Sequence, residues 1–574
     1  MQNYQRPKEK TSIVYTKKAK CRDCYRCVRV CPVQAIKMEN GQARVMEDRC
    51  IACGTCIINC PQGAKAYRTD FERVLDLLSL NNPIALSVAP SFVAYYNGWE
   101  QVRLASAARL MGFSYVGETA IGAWETAVAS KLWMKTKMNQ SHMCTACPAV
   151  VSYVGQYAPQ HLLKLVPVVS PMVAHGRLLK KADPNRKVVF VGPCVAKKKE
   201  AGINKNNLYI DAVLTFEEFD EMLKIRNIHL ESCEESSFDE QAPGDSRLFP
   251  IEGGLLKTAG LDTDILNKNI LAVSGYEEIE AILKQFEECP AENIIVEPLF
   301  CSNGCVNGPV MRLKTNAYIN RKEVLNYASR KPGFQKPDEE LFEKLEARFE
   351  EEIPPVSVEF TDQQIQEVLE RTGKHVPEDE LNCQACGYKS CRDKAVAVLS
   401  GLAETEMCMP YMRRKAEQKF ETMIACDPNG IVLLNSNLEI VHFNEAFKFM
   451  FSCSDVLIGK KISYLIDPEP FEKLALGMET IIRQTVGHPN YNLVCHQIVY
   501  IMPEEKQYVG VFINVTDMQL NKEKLSEMKT ETILKAQELM EHQIQMAQEL
   551  AKFLGENTAK GEVLMSRLID SMKK

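Results

Sequence analysis

A run of four cysteines that occurs twice near the start of the chain restricts the possible folds more than any other feature. Cys21 opens the first C-x-x-C-x-x-C-x-x-x-C-P run, and Cys50 opens the second one 29 residues later. Between the runs, Asn40-Gly41 predicts a two-residue hairpin turn. Thiols at these intervals suit cubane iron–sulfur clusters, whose irons bind thiolate sulfur. A structural zinc site is the alternative, although zinc-binding cysteines do not follow this spacing.

The repeat resembles that of the bacterial two-cluster ferredoxins, which predicts a ferredoxin-like module at residues 13–70. In that pattern the fourth cysteine of each run binds the other cluster. The resemblance therefore implies one 4Fe–4S cluster on Cys21, Cys24, Cys27 and Cys60, and a second on Cys50, Cys53, Cys56 and Cys31. Two such clusters imply a path for electrons toward the rest of the chain.

Composition limits the class of protein. The length of 574 residues predicts several domains, and a hydrophobic content of 45% allows full cores. The 69 basic and 75 acidic residues nearly balance, which gives no sign of nucleic-acid binding. We expect a cytoplasmic protein without membrane association, because the sequence has no long apolar run and no signal-peptide core at its start. In such a chain, 22 cysteines indicate metal binding and not disulfides.

Residues 80–350 predict an α/β domain that contains three further cysteine loops. Two of these loops follow apolar runs that predict strands. The strand run 293–296 leads to Cys301 and Cys305, the strand run 187–191 leads to Cys194, and a third loop holds Cys147. In open α/β sheets, ligands bind beyond the carboxyl ends of the strands. We therefore expect these loops to converge on one site. Taken singly, each loop could instead hold a buried structural cysteine.

Together the loops resemble the three that mark the catalytic domain of the FeFe-hydrogenases, T-S-C-C-P, M-P-C-x-x-K-x-x-E and E-x-M-x-C-x-x-G-C-x-x-G. This chain has Ala146-Cys147-Pro148, Pro193-Cys194-x-x-Lys197-x-x-Glu200 and Glu297-x-Leu299-x-Cys301-x-x-Gly304-Cys305-x-x-Gly308. The resemblance implies a 4Fe–4S cubane on Cys147, Cys194, Cys301 and Cys305. It also implies that Cys305 bridges to a diiron subsite with CO, cyanide and a bridging dithiolate, supplied by hydrogenase maturation enzymes.

Two polar residues are expected to contact that subsite. Ala89-Pro90-Ser91 resembles a family loop whose serine hydrogen-bonds a cyanide. Ser91 could also cap the following helix, and both roles could hold together. The ammonium of Lys197 would give an anionic cyanide a charge-assisted hydrogen bond. Its alternative is a solvated lysine within the basic run 197–199. Residues 252–258 resemble another family loop near the site, where paired glycines would let the backbone approach a ligand.

Several positions depart from hydrogenases built for turnover. Ala146 stands where those proteins carry a proton-relaying cysteine, and alanine has no proton to give. Ala129 and Ser130 align with relay glutamates, although Glu118 and Glu125 are nearby. Three more polar or sulfur-bearing contacts are replaced, by Gly192, Leu299 and Met172. A lost general acid typically costs roughly 10²–10⁴-fold in rate, so the pattern predicts an intact metal site with a poor proton supply.

A fourth set of cysteines predicts a small helical 4Fe–4S domain at residues 360–418. Its members resemble the small cluster domain of corrinoid iron–sulfur proteins and are Cys383, Cys386, Cys391 and Cys408. Zinc is the alternative, because sets of four cysteines serve both metals.

Residues 420–518 resemble a PAS sensory domain. Runs at 431–434 and 438–443 predict two strands, 444–447 opens a helix, and 509–517 predicts a closing strand that ends in T-D. Three histidines could bind a haem or could be ordinary solvent or core residues; they are His442, His488 and His496.

Residues 519–574 predict a C-terminal helix with a seam of 3–4 spacing. The seam consists of Met540, Ile544, Ala547, Ala551 and Leu554, and it is interrupted by Gly555 and Gly561. Such a seam could form a homodimer or bind a signalling partner. Alternatively, the helix could pack on the PAS-like domain of its own chain.

The whole multidomain α+β and α/β architecture resembles the sensory FeFe-hydrogenases. That resemblance implies slow, reversible conversion of H2 to two protons and two electrons, exchange with a redox partner such as ferredoxin, and signalling to a phosphatase or kinase. A productive hydrogenase or electron-bifurcating subunit is one alternative, and Ala146 counts against it, as does the lack of a phosphate-cradling glycine motif. A non-catalytic iron–sulfur protein is the other, and it would fit better if Lys197 or Cys305 were missing.

Overall fold

The two cysteine runs form matching halves of one module in the computed structural model of the chain. The structure describes residues 12–572 except 81, 138, 204–205, 207, 265, 290–292, 312–315, 331–344, 353–358, 505 and 517–521. The module contains β1 Val14–Thr16, α1 Arg26–Arg29, β2 Ile36–Glu39, β3 Gln42–Val45, α2 Thr55–Ile58 and β4 Lys65–Tyr67. Strands β1 and β4 pair antiparallel, as do β2 and β3. Asn40 and Gly41 adopt φ of 52° and 69°, so the predicted two-residue hairpin turn is confirmed.

The following region contains two parallel sheets with helices around them. Its strands are β5 Ile84–Val88, β6 Tyr115–Glu118, β7 His142–Met143, β8 Lys187–Gly192, β9 Ala212–Thr215, β10 Ile270–Ser274 and β11 Ile295–Leu299. Its helices are α3 Phe71–Ser79, α4 Phe92–Tyr95, α5 Gly98–Gln101, α6 Leu104–Met111, α7 Ala120–Thr136, α8 Pro148–Tyr157, α9 Pro171–Ala182, α10 Ala196–Ala201, α11 Phe216–Ile225, α12 Gly254–Thr258, α13 Tyr276–Glu288 and α14 Ala317–Ala328. The sheet orders are β6-β5-β8-β9 and β10-β11-β7.

The carboxyl ends of four of these strands lead into the cysteine and serine loops. β5 leads to Ser91, β8 to Cys194, β7 to the loop of Cys147, and β11 to Cys301. β11 extends three residues beyond the predicted strand run and includes Pro298. β7 accompanies β11 only along Ile295 and Val296, so the later part of β11 has one neighbour fewer, and the missing N–H of proline is tolerated at such an edge.

The fourth cysteine set lies in a region with three helices, and the segment from Tyr388 to Met407 packs on the ferredoxin-like module. The helices are α15 Asp362–Arg371, α16 Cys391–Leu399 and α17 Met409–Cys426. Tyr388 and Met407 are buried in one core with Val28 and Ile36. The backbones also meet, because Met38 N donates to the carbonyl of Leu402 at 3.4 Å.

The chain divides into two compact units after Met412. The second unit contains one antiparallel sheet of order β13-β12-β16-β15-β14. Its elements are β12 Gly430–Leu434, β13 Ile440–Phe443, α18 Glu445–Met450, α19 Glu469–Ala475, β14 Ile481–His488, β15 Leu493–Met502, β16 Gln507–Asn514 and α20 Lys522–Met572. The predicted strands at 431–434 and 438–443 are present within a residue or two. Asp517, which ends the predicted T-D step, lies outside the described residues.

Helix α20 runs without a break through Gly555 and Gly561. A glycine costs only about 1 kcal/mol in a helix interior, which a helix of this length absorbs. Met540 packs on the face of the sheet that carries Ile498, Val509 and Val511, as the alternative of packing on its own domain requires. Further along the seam, Ala551 and Leu554 are exposed.

The described part of the chain contains no helix long and apolar enough to cross a membrane.

The three histidines of this unit are not gathered at one place. His442 is exposed on the edge strand β13, whereas His488 lies at the end of the opposite edge strand β14. His488 is buried against Phe451, at 5.2 Å between ring centroids. His496 makes a 3.0 Å hydrogen bond with the hydroxyl of Thr485. Their surroundings therefore match ordinary core and surface histidines.

Candidate functional site

The three cysteine loops of the α/β region meet around one cavity. The cavity is lined by all four cysteines, namely Cys147, Cys194, Cys301 and Cys305, and by Ser91, Ala146 and Lys197. Burial, aided by the neighbouring Cys147, raises the pKa of the Cys194 thiol to about 11. Burial also raises the pKa of Cys305, and the neighbouring thiols of Cys147 and Cys194 raise it further. Four thiols around one cavity suit a metal cluster, because the positive charge of iron would stabilise the thiolates that burial alone disfavours.

Local structure explains how the loops come so close. Cys147 immediately precedes α8, whose first residue is Pro148, and proline is favoured at that helical position. Gly304 adopts φ +83°, and a Cβ there would lie 2.5 Å from the carbonyl oxygen of Pro250. Only glycine permits both that conformation and that approach. The two cysteines of the third loop are therefore held against the segment before α12.

Ser91 faces the cavity with a hydroxyl that is free to bind a ligand. Its side chain is 1% exposed, and its Oγ has no hydrogen-bond partner among the described residues. The side chain makes no capping hydrogen bond at the start of α4. Ser91 is thus the N-cap residue of α4 by position, but its hydroxyl does not cap the helix. A buried unpaired hydroxyl is costly enough to suggest an absent partner.

Lys197 is buried and paired, so the alternative of a solvated lysine is wrong. Its Nζ donates to Glu200 Oε2 at 2.8 Å and to the carbonyl oxygen of Ala146 at 3.4 Å. The adjacent Lys198 is completely buried and donates to Glu218 Oε2 at 2.8 Å. A basic run normally indicates a solvated surface, and nothing in the sequence distinguished Lys198 from its neighbours.

Residues 252–258 contact the loop of Cys301 and Cys305 through hydrogen bonds to Glu297. The carboxylate of Glu297 accepts hydrogen bonds from the N–H groups of Leu255 and Leu256, both at 3.1 Å. Burial raises the pKa of Glu297 to about 7. The paired glycines were expected to approach a ligand, but the cavity is lined here by Phe249 and Pro250. A Cβ at Gly254 would instead meet the carbonyl of Leu248 at 2.1 Å, so the glycine serves packing.

The cavity wall carries few groups that can move a proton. Ala146, Met172 and Leu299 all line it, as the replaced positions predict. Gly192 is not among the lining residues. The candidate substitutes for a relay, Glu118 and Glu125, do not line it either.

The two positions assigned to the outer proton relay also offer no side chain that is available to pass on a proton. Ala129 is buried, and the hydroxyl of Ser130 donates to the carbonyl oxygen of Thr126 at 2.6 Å, within the same helix. Glu118 is locked in a buried ion pair with Arg247 at 2.6 Å. Sequence reasoning missed a buried chain of hydrogen bonds that starts at the cavity wall, because its residue types are common. It joins Thr119, Ser87 and His175 at 2.7 and 2.8 Å.

Replacing Glu125 by glutamine is expected to remove a pH-dependent loss of stability. Burial raises the pKa of Glu125 to about 8, opposed by Lys181 and aided by Glu240, whereas an unfolded glutamate titrates near pH 4.3. The folded protein thus keeps a proton that the unfolded chain releases, so stability falls as pH rises through this window. The Tm advantage of Glu125→Gln should grow from pH 5 to pH 8, reflecting at most about 4 kcal/mol. A difference that stays constant with pH would contradict the assignment.

The ferredoxin-like cysteines are placed in the crossed sets. Cys21, Cys24, Cys27 and Cys60 line one small cavity. Burial raises the pKa of Cys56, and Cys53, Cys31 and Cys50 are the thiols that raise it further. Cys53 also lines the cavity of the α/β region. The second ferredoxin set and the set of three loops are therefore direct neighbours.

The fourth set is less enclosed. Burial raises the pKa of Cys386, and Cys408 and Cys383 lie close enough to add to it. Cys391 is the first residue of α16, and its N–H donates to Asn382 Oδ1 at 2.7 Å. Among the described residues, no group of three or more His, Cys, Asp or Glu side chains is placed to hold a single metal ion.

Known families match three parts of the chain. Residues 82–309 match the family described as "Iron only hydrogenase large subunit, C-terminal domain". Residues 13–61 match "4Fe-4S dicluster domain", and residues 379–410 match "Putative Fe-S cluster".

Individual relatives are more distant. The periplasmic [Fe] hydrogenase large subunit of Nitratidesulfovibrio vulgaris is 24% identical over 402 residues, which cover 56% of this chain and 94% of that protein. The cytosolic Fe-S cluster assembly factor NAR1 of Kluyveromyces lactis is 25% identical over 198 residues, 32% of this chain; the match spans only 42% of that relative. A solved structure of an [FeFe]-hydrogenase from Chlamydomonas reinhardtii covers 50% of this chain and 100% of its own, with 15% identity and a TM-score of 0.40.

Proposed function

We propose that this chain, which carries an iron-only hydrogenase large-subunit domain together with a ferredoxin-type module, is a hydrogen-responsive redox sensor of the cytoplasm. It oxidises H2 slowly and reversibly to two protons and two electrons. One observation carries the proposal: four cysteines share a buried cavity with the free hydroxyl of Ser91 and the ammonium of Lys197, while Ala146 provides no thiol at the position where a proton relay is expected. The metal site is kept, and its proton supply is not.

The residues around the cavity fit the group that the family binds. Cys147, Cys194, Cys301 and Cys305 would hold the cubane, and Cys305 would also hold the diiron subsite, which supplies the chemistry that splits H2. Ser91 and Lys197 would donate hydrogen bonds to its cyanide ligands. Met172, Leu299 and Phe249 give the cavity an apolar lining, and a lining that excludes water would strengthen those hydrogen bonds.

Electrons would leave through the ferredoxin-type module. Cys53 lines the cavity of the four cysteines Cys147, Cys194, Cys301 and Cys305, so the cluster that Cys53 binds would be the first to accept an electron. On the other side of that module, Arg29 Nη1 donates to the carbonyl oxygen of Ala385 at 2.8 Å, next to Cys386. The packing favours a route in which the ferredoxin-type module lies between the cubane of Cys305 and the fourth cluster.

Iron content tests the number of clusters. Sixteen cysteines in four sets of four predict four 4Fe–4S clusters, or about 16 iron atoms per chain. Protein reconstituted with iron and sulfide alone should reach this content without any hydrogen turnover, because the diiron subsite requires the maturation enzymes. Turnover by such protein, or iron sufficient for only two clusters, would contradict the assignment.

The second unit would convert redox state into a signal. Counting its own strands, its sheet has the order 2-1-5-4-3, which supports the proposal of a PAS domain, and a helix of 51 residues follows it. A ligand or redox change shifts a conformational equilibrium only through differential affinity. A signalling phosphatase or kinase would therefore bind differently in the two redox states, through the helix or a dimer that it forms.

Removal of residues 519–574 is expected to leave hydrogen chemistry intact while abolishing partner binding or its dependence on hydrogen. Self-association should also weaken, by about tenfold for Ala551→Glu, which places a charge on the exposed part of the seam. Sedimentation of both variants and of the control Glu549→Gln would measure this. Identical partner binding by the intact protein under hydrogen and under an oxidant would leave only a slow enzyme.

A non-catalytic iron–sulfur protein is the second candidate. It is favoured by the similarity of 198 residues to a cluster assembly factor and by the apolar replacements at the cavity. The open hydroxyl of Ser91 and the buried ammonium of Lys197 favour the sensor, since a bare cubane needs neither. A productive hydrogenase fits less well, because Ala146 and the locked Glu118 leave no evident relay.

A further inference from the structure

Two lysines beside the fourth cysteine set are buried without a carboxylate partner in the described part of the chain. Lys374 is 6% exposed and Lys394 is 5% exposed. Lys374 Nζ donates to Thr372 Oγ1 at 2.8 Å and to Cys408 Sγ at 3.3 Å. Lys394 Nζ donates to the carbonyl oxygen of Thr405 at 2.9 Å. Lysine is almost never fully buried unless it is paired, so the site calls for an anion.

A cubane on these cysteines is such an anion. Four thiolates around a core of charge 2+ give a net charge of about −2, and one-electron reduction makes it more negative. The charge of Lys394 interacts with Cys408 and Cys386, and it also interacts with the carboxylate of Glu406, which is exposed. An exposed charge is largely screened by water and salt, whereas buried ammoniums are not. The positive charges therefore dominate the surroundings of this cluster.

The ferredoxin-type sets have less positive charge within the protein. One buried lysine, Lys65, acts on thiols of both sets, including Cys27 and Cys56. Its Nζ donates to Thr16 Oγ1 at 2.6 Å. The partly exposed Lys199 adds to this at Cys50, and the exposed Arg29 donates to the carbonyl oxygen of Cys24 at 3.2 Å. The fourth set thus has two buried ammoniums for one cluster, and one of them donates directly to a ligand sulfur.

We infer that Lys374 and Lys394 hold the cluster of the fourth set at a higher reduction potential than the ferredoxin-type clusters, so that it collects an electron from hydrogen oxidation. Net charge and hydrogen bonds to sulfur are the established determinants of such potentials. H2 yields two protons and two electrons; one electron takes this cluster from its 2+ to its 1+ state, and the other stays on a ferredoxin-type cluster or leaves to a redox partner. The inference rests on the proposed function for the presence of the cluster and the source of the electrons.

The position of this cluster suits a signalling role. Cys408 directly precedes α17, and its carbonyl oxygen accepts the first hydrogen bond of that helix, from Met412 N at 2.9 Å. A charge gained at Cys408 is therefore felt at the positive end of a helix of 18 residues. Both lysines are positioning residues, since they act on the reduction potential of this cluster and do not contact H2.

The test is a redox titration by EPR of full-length protein reconstituted with iron and sulfide, without the diiron subsite. The first reduction step in the natural protein should be missing in Cys391→Ser, which assigns it to this cluster. Lys374→Met should make reduction of that cluster about tenfold less favourable, a shift of 59 mV for one electron. Lys374→Arg, which keeps the charge, and Lys389→Met, which removes an exposed lysine from the same loop, should leave the midpoint in place.

Lys394→Met is titrated in parallel, so that loss of the cluster from one variant does not end the test. Unchanged midpoints in both methionine variants would overturn the inference while leaving the cluster assignment standing. A first reduction step that survives in Cys391→Ser would overturn it as well. Iron sufficient for only three clusters in the natural protein would instead overturn the cluster assignment and the inference together.

Discussion

The Ala146→Cys variant is expected to oxidise hydrogen about 10 to 100 times faster than the natural protein. Position 146 lines the cavity beside Cys147, and a thiol there can carry a proton between the metal site and the protein interior. A positioned acid is typically worth roughly 10²–10⁴-fold in rate. The gain should stay below the upper end because Ala129 and Ser130 leave the outer relay unfilled. Hydrogen-dependent dye reduction by fully matured protein measures the rate.

The control for this variant is Ala149→Cys, which adds a thiol to another alanine of the same cavity wall. It should give little gain, since the effect depends on the position of the proton carrier and not on sulfur in the wall. Natural protein that already matches a productive hydrogenase would contradict the idea of a site built for sensing. An unchanged rate in Ala146→Cys would place the limiting step elsewhere, for example at the exit of electrons.

The second large effect is expected at Lys197. Its ammonium is the one cationic side chain lining the cavity among the described residues, and it is oriented by Glu200 at 2.8 Å. Lys197→Met keeps the length of the side chain but removes the donor and the charge. Without that charge the site should bind the anionic diiron subsite at least tenfold less well, so hydrogen turnover should fall by about 100-fold or more.

Lys199→Met is the matched control, because Lys199 lies on the same helix α10 but does not line the cavity. It should keep both the diiron subsite and the turnover. Iron bound by the four cubane sets should be the same in both variants, which separates a failed site from a failed fold. Equal turnover in Lys197→Met and Lys199→Met would show that the ammonium has no role at the subsite.

Much of the site could be predicted from the sequence, because cysteines that are close in sequence within a short loop must also be close in the folded structure. Cys301 and Cys305 are four residues apart, and Lys197 follows Cys194 by three residues. That the loops of Cys147, Cys194 and Cys301 converge followed from strands ending at one edge of parallel sheets. The predicted strand run ends at Val296 with the last consecutive apolar residue, whereas β11 continues through Glu297 and Pro298 to Leu299 because β10 pairs along its whole length.

Other features depend on contacts between distant residues, which no local pattern reveals. The burial of Lys198 follows from its pairing with Glu218, 20 positions away. The hydrogen bond from Lys374 to Cys408 spans 34 positions. The packing of the fourth cysteine region on the ferredoxin-type module likewise joins Arg29 to Ala385. Such pairings are set by tertiary structure, so the sequence suggested the clusters but not the order in which they adjoin.

The infrared spectrum of the natural protein, matured with hydrogenase assembly enzymes, tests the central claim most directly. CO and cyanide bound to iron absorb where proteins do not, so their bands report the diiron subsite itself. A hydrogen sensor predicts bands of both ligands that shift between hydrogen and an oxidant and that are lost in Lys197→Met. A protein that fills all four cubane sets with iron but gives no CO or cyanide bands would contradict the account and leave a non-catalytic iron–sulfur protein.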